Sequence, residues 1–301
     1  MASEWSEGLL KLRERYQLSD EDFTTIFAII VEEVADGYLP SPFPKVVILG
    51  GAPGSGKTEL QKEAESLLRG NAVICNADNL RDFHPLSHEI KRNHPSFYPD
   101  ITAEYAQKWN DLLCNYCQQK RLNYILETTF SSGARLQQTI REIKDVGYQV
   151  DIMLLAVSPR LSLLGTYIRY ENSLENQGLG RKVSKEAHDV RFNAIPPTID
   201  AITKNQLFDD IKIYSRSVVL EYASLIEGVT LVAHNPVDVL KVYQEEIERP
   251  WPLKLREYFK QSCSDVFEMM RKRQAHPYEI ERFASELGVN RPLSQKRGRR
   301  M

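Results

Sequence analysis

Lys45-Val-Val-Ile-Leu-Gly-Gly-Ala-Pro-Gly-Ser-Gly-Lys-Thr58 decides the fold of this 301-residue chain. Its first six residues are a short apolar run rich in β-branched side chains, which reads as a strand buried on both faces. Gly51 to Thr58 then match G-x-x-x-x-G-K-[ST] in full, and a helical pattern over Lys57–Arg69 follows at once. Glycines let main-chain N–H groups converge on phosphate oxygens. The helix start adds the positive end of its dipole. Lys57 brings a mobile ammonium to the outer phosphates, and Thr58 offers a hydroxyl to Mg2+. Gly51, Ala52, Pro53, Gly54, Ser55, Gly56, Lys57 and Thr58 are therefore the candidate nucleotide-binding residues, with Thr58 the candidate metal ligand. The alternative is a flexible glycine loop that matches by chance, but the strand–loop–helix context speaks against it.

Outward from this stretch, strand patterns recur at Ala72–Cys75, Tyr124–Leu126, Val150–Ala156, Ile211–Tyr214 and Val229–Ala233. Helical patterns lie between them, at Thr102–Arg121, Ala134–Val146, Pro159–Asn176, Ser184–Thr203 and Val237–Glu248. That alternation predicts an α/β fold: a P-loop NTPase-type parallel sheet with helices on both faces and ligands at the carboxyl ends of the strands. Leu39-Pro-Ser-Pro-Phe-Pro44 and Arg249-Pro-Trp-Pro252 break any helix and mark boundaries. Three segments result: an N-terminal helical extension over 1–44, a P-loop kinase domain over 45–249, and a C-terminal helical extension over 250–301 that ends in a basic tail. In the first, Ser19 reads as a helix cap followed by acids.

The composition is that of a soluble globular protein, 42% hydrophobic and 27% charged. With 39 Lys plus Arg against 41 Asp plus Glu, the net charge is -2. So balanced a chain has no global electrostatic reason to bind nucleic acid or an anionic membrane, the basic tail apart. No apolar run approaches the roughly 20 residues of a membrane helix. Cys75, Cys114, Cys117 and Cys263 are too few for a disulfide scaffold, and with no signal peptide the expected compartment is the cytoplasm. Cys114-x-x-Cys117 lies in a helical pattern without a second pair and reads as structural.

The strand ends supply the acceptor side. Asp78 follows the second strand, where a carboxylate can take the proton of an acceptor hydroxyl held in line with the γ-phosphate. A helix cap or an indirect Mg2+ ligand is its alternative reading. Arg81 stands one turn on and can pair with an acidic group of the acceptor, or with Asp82 or Glu89 at the surface. Glu127 and Thr129 close the third strand on one side of the chain and can meet acceptor hydroxyls. Arg169 lies late in a helix, in Tyr167-Ile-Arg-Tyr-Glu171. Arg181 lies in the glycine-rich Gln177-Gly-Leu-Gly-Arg-Lys-Val183. Arginines carried on a closing segment can stabilise the charge on a moving phosphoryl group. Lys57, Asp78, Arg169 and Arg181 are thus the candidate catalytic residues. Arg81, Glu127 and Thr129 are the candidate substrate contacts. No N-K-x-D guanine signature is present, and no long strand ends in Asp-Glu, which favours a small-molecule kinase.

Together these residues resemble the zeta toxins, the kinase partners of bacterial toxin–antitoxin systems. The resemblance runs from about Lys45 to about Glu248. It is carried by Gly50-Gly-Ala-Pro-Gly-Ser-Gly-Lys-Thr58, Asn76-Ala-Asp-Asn-Leu-Arg81 with His84-Pro85, Glu127-Thr-Thr129, Arg169-Tyr-Glu171 and Gly180-Arg181-Lys-Val183. It implies ATP- or GTP-dependent, Mg2+-assisted phosphorylation of a UDP-amino sugar, typically UDP-N-acetylglucosamine at its 3′-hydroxyl. It also implies that Asp78 is the base, that Glu127 and Thr129 face the acceptor, and that Arg169 and Arg181 clamp the transferring phosphate. A helical antitoxin that obstructs the nucleotide site is the implied partner, in trans or, by position, as residues 1–44 in cis. Competing readings are a kinase for another small acceptor (a nucleoside, dinucleotide, antibiotic or nucleic-acid end) and a nucleotide-dependent binding or switch module.

Overall fold

The computed structural model describes residues 2–178, 180, 182–221 and 224–290. Six strands form one sheet: β1 (Lys45–Gly50), β2 (Val73–Cys75), β3 (Tyr124–Glu127), β4 (Gln149–Ala156), β5 (Asp210–Glu221) and β6 (Ser224–His234), in the order β2-β3-β1-β4-β5-β6. The first five run parallel, each joined to the next through helix, as the alternating pattern predicts. β6 pairs antiparallel with β5 because no helix separates them. The β5–β6 pair is far longer than the apolar runs at Ile211–Tyr214 and Val229–Ala233 suggest. Beyond Ser215, β5 leaves β4 and pairs with β6 alone.

Alternation along the strands feeds two cores. Val46, Ile48, Tyr124, Val150 and Ile152 face one layer, which holds the helices Tyr98–Lys120, Gly133–Asp145, Ile195–Lys204 and Val239–Glu248. Ile26 and Ile30 of the N-terminal helix Asp20–Ala35 join that layer. Val47, Leu49, Met153 and Leu155 face the other layer, with Leu60 of the helix Lys57–Leu67 and Leu164 of the helix Pro159–Gln177. The C-terminal helices Leu253–Lys272 and Pro277–Leu287 bury Tyr258, Val266 and Phe283 there. The two terminal extensions therefore cover opposite faces of the sheet. Ser19 caps its helix as its sequence suggests, accepting from the Asp22 amide at 3.1 Å.

The pattern over Ser184–Thr203 divides into two helices, Lys185–Asn193 and Ile195–Lys204. Pro196 and Pro197 fit only the first turn of a new helix, because proline lacks the N–H that a helix interior uses. Arg181 and the basic tail from Arg291 lie outside the described residues. Among the described residues no helix is long and apolar enough to cross a membrane. All four cysteines are free.

Candidate active site

Register fixes the site. β1 pairs with β3 up to Leu49 opposite Glu127, and β2 pairs with β3 up to Cys75 opposite Leu126. The three strands thus end side by side, at the phosphate loop, at Glu127 and at Asn76. Asn76 donates its side-chain amide to Glu127 Oε2 at 2.8 Å, and its Oδ1 accepts the Asp78 amide at 2.9 Å. One asparagine therefore joins the Glu127 carboxylate to the turn that carries Asp78.

The loop from Gly51 to Gly56 bends through two left-handed glycines, Gly54 (φ 74°) and Gly56 (φ 99°), that a side chain would strain. No side chain caps the helix Lys57–Leu67 that follows. Its first amides are open to an anion in the way of helix N-termini that bind phosphate. Lys57 folds back over the loop. Its Nζ donates to the carbonyls of Gly51 at 3.2 Å and Ala52 at 3.3 Å, and lies 3.7 Å from Glu127 Oε1. Burial holds the ammonium below its ordinary value, and the Arg169 charge adds to this. Glu127 and Asp78 pull the other way. The four side chains are electrostatic neighbours. Ser55 Oγ is buried in the loop without a hydrogen-bond partner among the described residues.

A cleft of about 400 Å3 opens over the loop. Its floor is Gly54, Gly56, Lys57, Thr58 and Glu127. One wall is a face of the helix Pro159–Gln177, on which Gly165, Arg169, Asn172 and Asn176 recur at helical spacing. Another wall is Arg216 of β5 and Glu227 of β6. Asn172, Ser173, Asn176, Arg216 and Glu227 were not singled out by the sequence reading. The stripe that follows Gly165 every three or four residues was the available signal for the helix wall.

Asp78 stands at the start of a short helix, Ala77–Leu80, with its carboxylate largely exposed. Arg81 binds it, Nε to Oδ1 at 2.9 Å. The same guanidinium donates to the Pro99 carbonyl and to Thr102 Oγ1, so Arg81 is mostly buried and ties Asp78 to the helix Tyr98–Lys120. Thr129 Oγ1 shares a 2.7 Å hydrogen bond with Ser131 Oγ. The N-terminal helices reach this side of the molecule. His84 Nε2 donates to the Tyr16 carbonyl at 3.1 Å, and the Tyr16 hydroxyl donates to Glu89 at 2.9 Å. Among the described residues, none of 2–44 lines the cleft. The described part of that segment packs instead against the stretch that follows Asp78.

A Ser–His–Asp array also occurs. Ser162 Oγ and His188 Nε2 are 2.8 Å apart, and His188 Nδ1 lies 2.9 Å from Asp189 Oδ1. Ser162 and His188 are both fully buried, so no substrate reaches them, and the array fastens two helices. Among the described residues no cluster of three or more His, Cys, Asp or Glu is arranged to hold a metal. The hydroxyl of Thr58 and the Glu127 carboxylate beside the loop are hard oxygen donors. They suit a Mg2+ that arrives with nucleotide phosphates and keeps part of its water shell, rather than one caged by protein alone.

The parallel-dominated sheet and the glycine loop between β1 and its helix define a P-loop fold. The chain belongs to the zeta toxin family, the kinases of toxin–antitoxin systems: a family model described as Zeta toxin matches residues 31–227. It is 28% identical over 234 residues to Toxin PezT of Streptococcus pneumoniae serotype 4 (strain ATCC BAA-334 / TIGR4), covering 77% of this chain and 89% of that one. It is also 28% identical over 196 residues to Toxin zeta of Enterococcus hirae, covering 65% and 68%. A solved chain from the PezAT chromosomal toxin–antitoxin system of Streptococcus pneumoniae aligns with a TM-score of 0.71 at 23% identity, over 84% of this chain and 98% of that one. That likeness concerns the fold.

Proposed function

We propose that this protein transfers the γ-phosphoryl group of Mg·ATP or Mg·GTP to a hydroxyl of a UDP-amino sugar, with the 3′-hydroxyl of UDP-N-acetylglucosamine as the leading acceptor. The observation that carries the reading is the position of Lys57. Its ammonium lies against the phosphate loop and within 3.7 Å of Glu127, which Asn76 links to the Asp78 turn. This chain of contacts supports a reading in which Lys57 serves the donor and the Asp78 turn the acceptor.

In this reading the loop amides, Lys57 and Ser55 hold the nucleotide phosphates, and Thr58 holds Mg2+. When bound, Mg2+ neutralises charge on the phosphate oxygens. Asp78 accepts the proton of the acceptor hydroxyl. The freed oxygen forms a bond to the γ-phosphorus, the bond to the bridging oxygen breaks, and the nucleoside diphosphate leaves with that electron pair. Glu127 and Thr129 orient the acceptor, and Arg169 and Arg181 balance charge on the moving group. A helical antitoxin supplied as a separate chain is the expected inhibitor, because residues 2–44 are packed elsewhere.

The test is a transfer assay. Protein, Mg2+ and γ-labelled ATP are incubated with UDP-N-acetylglucosamine and, in parallel, with a metabolite extract, and labelled products are identified by mass. Phosphorylated UDP-N-acetylglucosamine is the expected product, and Lys57→Ala and Asp78→Asn should each lower its formation by roughly 100-fold or more. A labelled product of another class would replace the acceptor while keeping the kinase. Transfer to nothing at all would overturn both.

A further inference from the structure

We propose that Arg216 is an additional phosphate-binding cation of the nucleotide cleft, held in place by Glu227 and by Tyr258 of the C-terminal helix Leu253–Lys272. The inference rests on the nucleotide reading of the cleft given above. Its ligand class is a nucleoside di- or triphosphate.

β5 pairs with β4 as far as Ser215, and Arg216 is the next residue. It is therefore the first residue of β5 past the pairing with β4, three residues beyond Ile213, which shares the level of Gly50 where β1 ends. Its two neighbours on that face of β5, Tyr214 and Val218, are both buried. A guanidinium on such a face is costly unless every donor finds a partner. NH2 has two, the Glu227 carboxylate and the Tyr258 hydroxyl, the latter at 2.7 Å. Tyr258 donates its own proton to Glu227, and its ring lies 5.0 Å below the guanidinium. The plane of Arg216 is thus fixed by three groups.

The other nitrogens are not satisfied. Among the described residues Nε and NH1 find no hydrogen-bond partner, on a side chain only 5% exposed. Nε lies 4.0 Å from where a Cβ on Gly56 would stand, so this donor flanks the phosphate loop itself. A structural ion pair with Glu227 accounts for NH2 and leaves Nε and NH1 unexplained. A phosphate oxygen seated over Gly56 would satisfy them, and charge-assisted bonds of this kind are the strong ones. It would also explain why Tyr258 comes from a helix beyond residues 31–227, the segment the family model covers. The C-terminal extension then acts as a positioning element for the donor nucleotide.

The experiment is calorimetric titration of the full chain with Mg·ATP and Mg·GTP, with thermal melts of each variant. Arg216→Gln should weaken binding about tenfold or more, the loss expected for charge-assisted hydrogen bonds, and Arg216→Lys should recover part of it. Tyr258→Phe keeps the ring and should weaken binding by about threefold to tenfold, while in the double variant with Arg216→Gln it should add nothing, because it acts through Arg216. Wild-type affinity in Arg216→Gln overturns the inference, as does full additivity in the double variant. Should Arg216→Gln not fold, Tyr258→Phe decides alone, and unchanged affinity there overturns the inference. A wild-type chain that binds neither nucleotide instead overturns the reading of the cleft on which this rests.

Discussion

Gly165 and Gly54 meet backbone to backbone: a Cβ on Gly165 would lie 2.0 Å from the Gly54 carbonyl oxygen, and one on Gly54 would lie 2.2 Å from the Ser162 carbonyl oxygen. The phosphate loop is thereby pressed onto the helix Pro159–Gln177. Arg169 stands four residues beyond Gly165, one turn along the same face. A contact without side chains thus sets how far Arg169 stands from Lys57.

Gly165→Ala should therefore damage the site although it favours the helix. Alanine gains about 1 kcal/mol of helix propensity over glycine. The added methyl meets rigid backbone rather than a movable side chain, and overpacking of this kind costs about 1–3 kcal/mol. The expected result is a protein of equal or lower stability with Mg·ATP binding weakened severalfold, read by denaturant unfolding and calorimetry. A more stable variant with unchanged affinity would show that the two glycines separate freely.

The same helix is clamped at its far end. Arg273 grips Glu171 with two of its nitrogens, Nε at 2.8 Å and NH2 at 2.9 Å, and NH2 also donates to Glu279 at 2.8 Å. Glu171 is 1% exposed. Arg273→Ala leaves that carboxylate buried and unpaired, which should cost about 3–5 kcal/mol. Glu171→Gln in the Arg273→Ala background should return part of the loss, because a neutral amide is cheaper to bury. Chemical denaturation of the two variants measures both changes. Equal stability of wild type and Arg273→Ala would remove the clamp.

The parts of this site that were legible in the sequence are those that local chain geometry determines. Gly51–Thr58 carries its own strand, loop and helix, and Asp78 and Glu127 follow strands whose parallel register brings their ends together. Arg216 and Glu227 were illegible because their meeting depends on a hairpin that outruns its apolar segments. Tyr258 comes from a helix that approaches only after the whole sheet has formed. Arg81 reads in sequence as a substrate contact or a surface pair with Asp82 or Glu89. The fold gives it Asp78, Pro99 and Thr102, a choice made by a helix docking from residues 98–120. The N-terminal helices read correctly as helices, but which face they cover is a tertiary fact.

Arg81 separates two roles by kinetics. If it positions Asp78, Arg81→Leu lets the carboxylate drift, and misplacement of a catalytic group by about 1 Å can cost roughly 100-fold. The turnover number should fall by about tenfold or more while KM for nucleotide stays near wild type. If it instead binds the acceptor directly, KM for the acceptor rises and turnover at saturation is kept. Steady-state kinetics on the acceptor identified by mass spectrometry distinguishes the two, and the ion pair with Asp78 favours the first.

Lys57 makes nucleotide binding a proton-linked event. Its ammonium sits below the ordinary 10.5, chiefly through burial, with Arg169 adding to the effect and Glu127 and Asp78 opposing it. A bound polyphosphate favours the charged form and moves the group back up. Between the two positions the complex holds a proton that the free protein has lost. Affinity should therefore fall as pH rises through that window, with proton uptake on binding. Stability of the nucleotide-free chain moves the other way. Between the lowered value and 10.5 the unfolded chain binds more protons than the folded one, so this contribution to stability rises with pH. Titrations at alkaline pH in two buffers of different ionisation enthalpy measure the uptake directly. Lys57→Arg, which keeps its charge throughout, should abolish it. Equal heats in both buffers for the wild type would mean that Lys57 does not face the nucleotide.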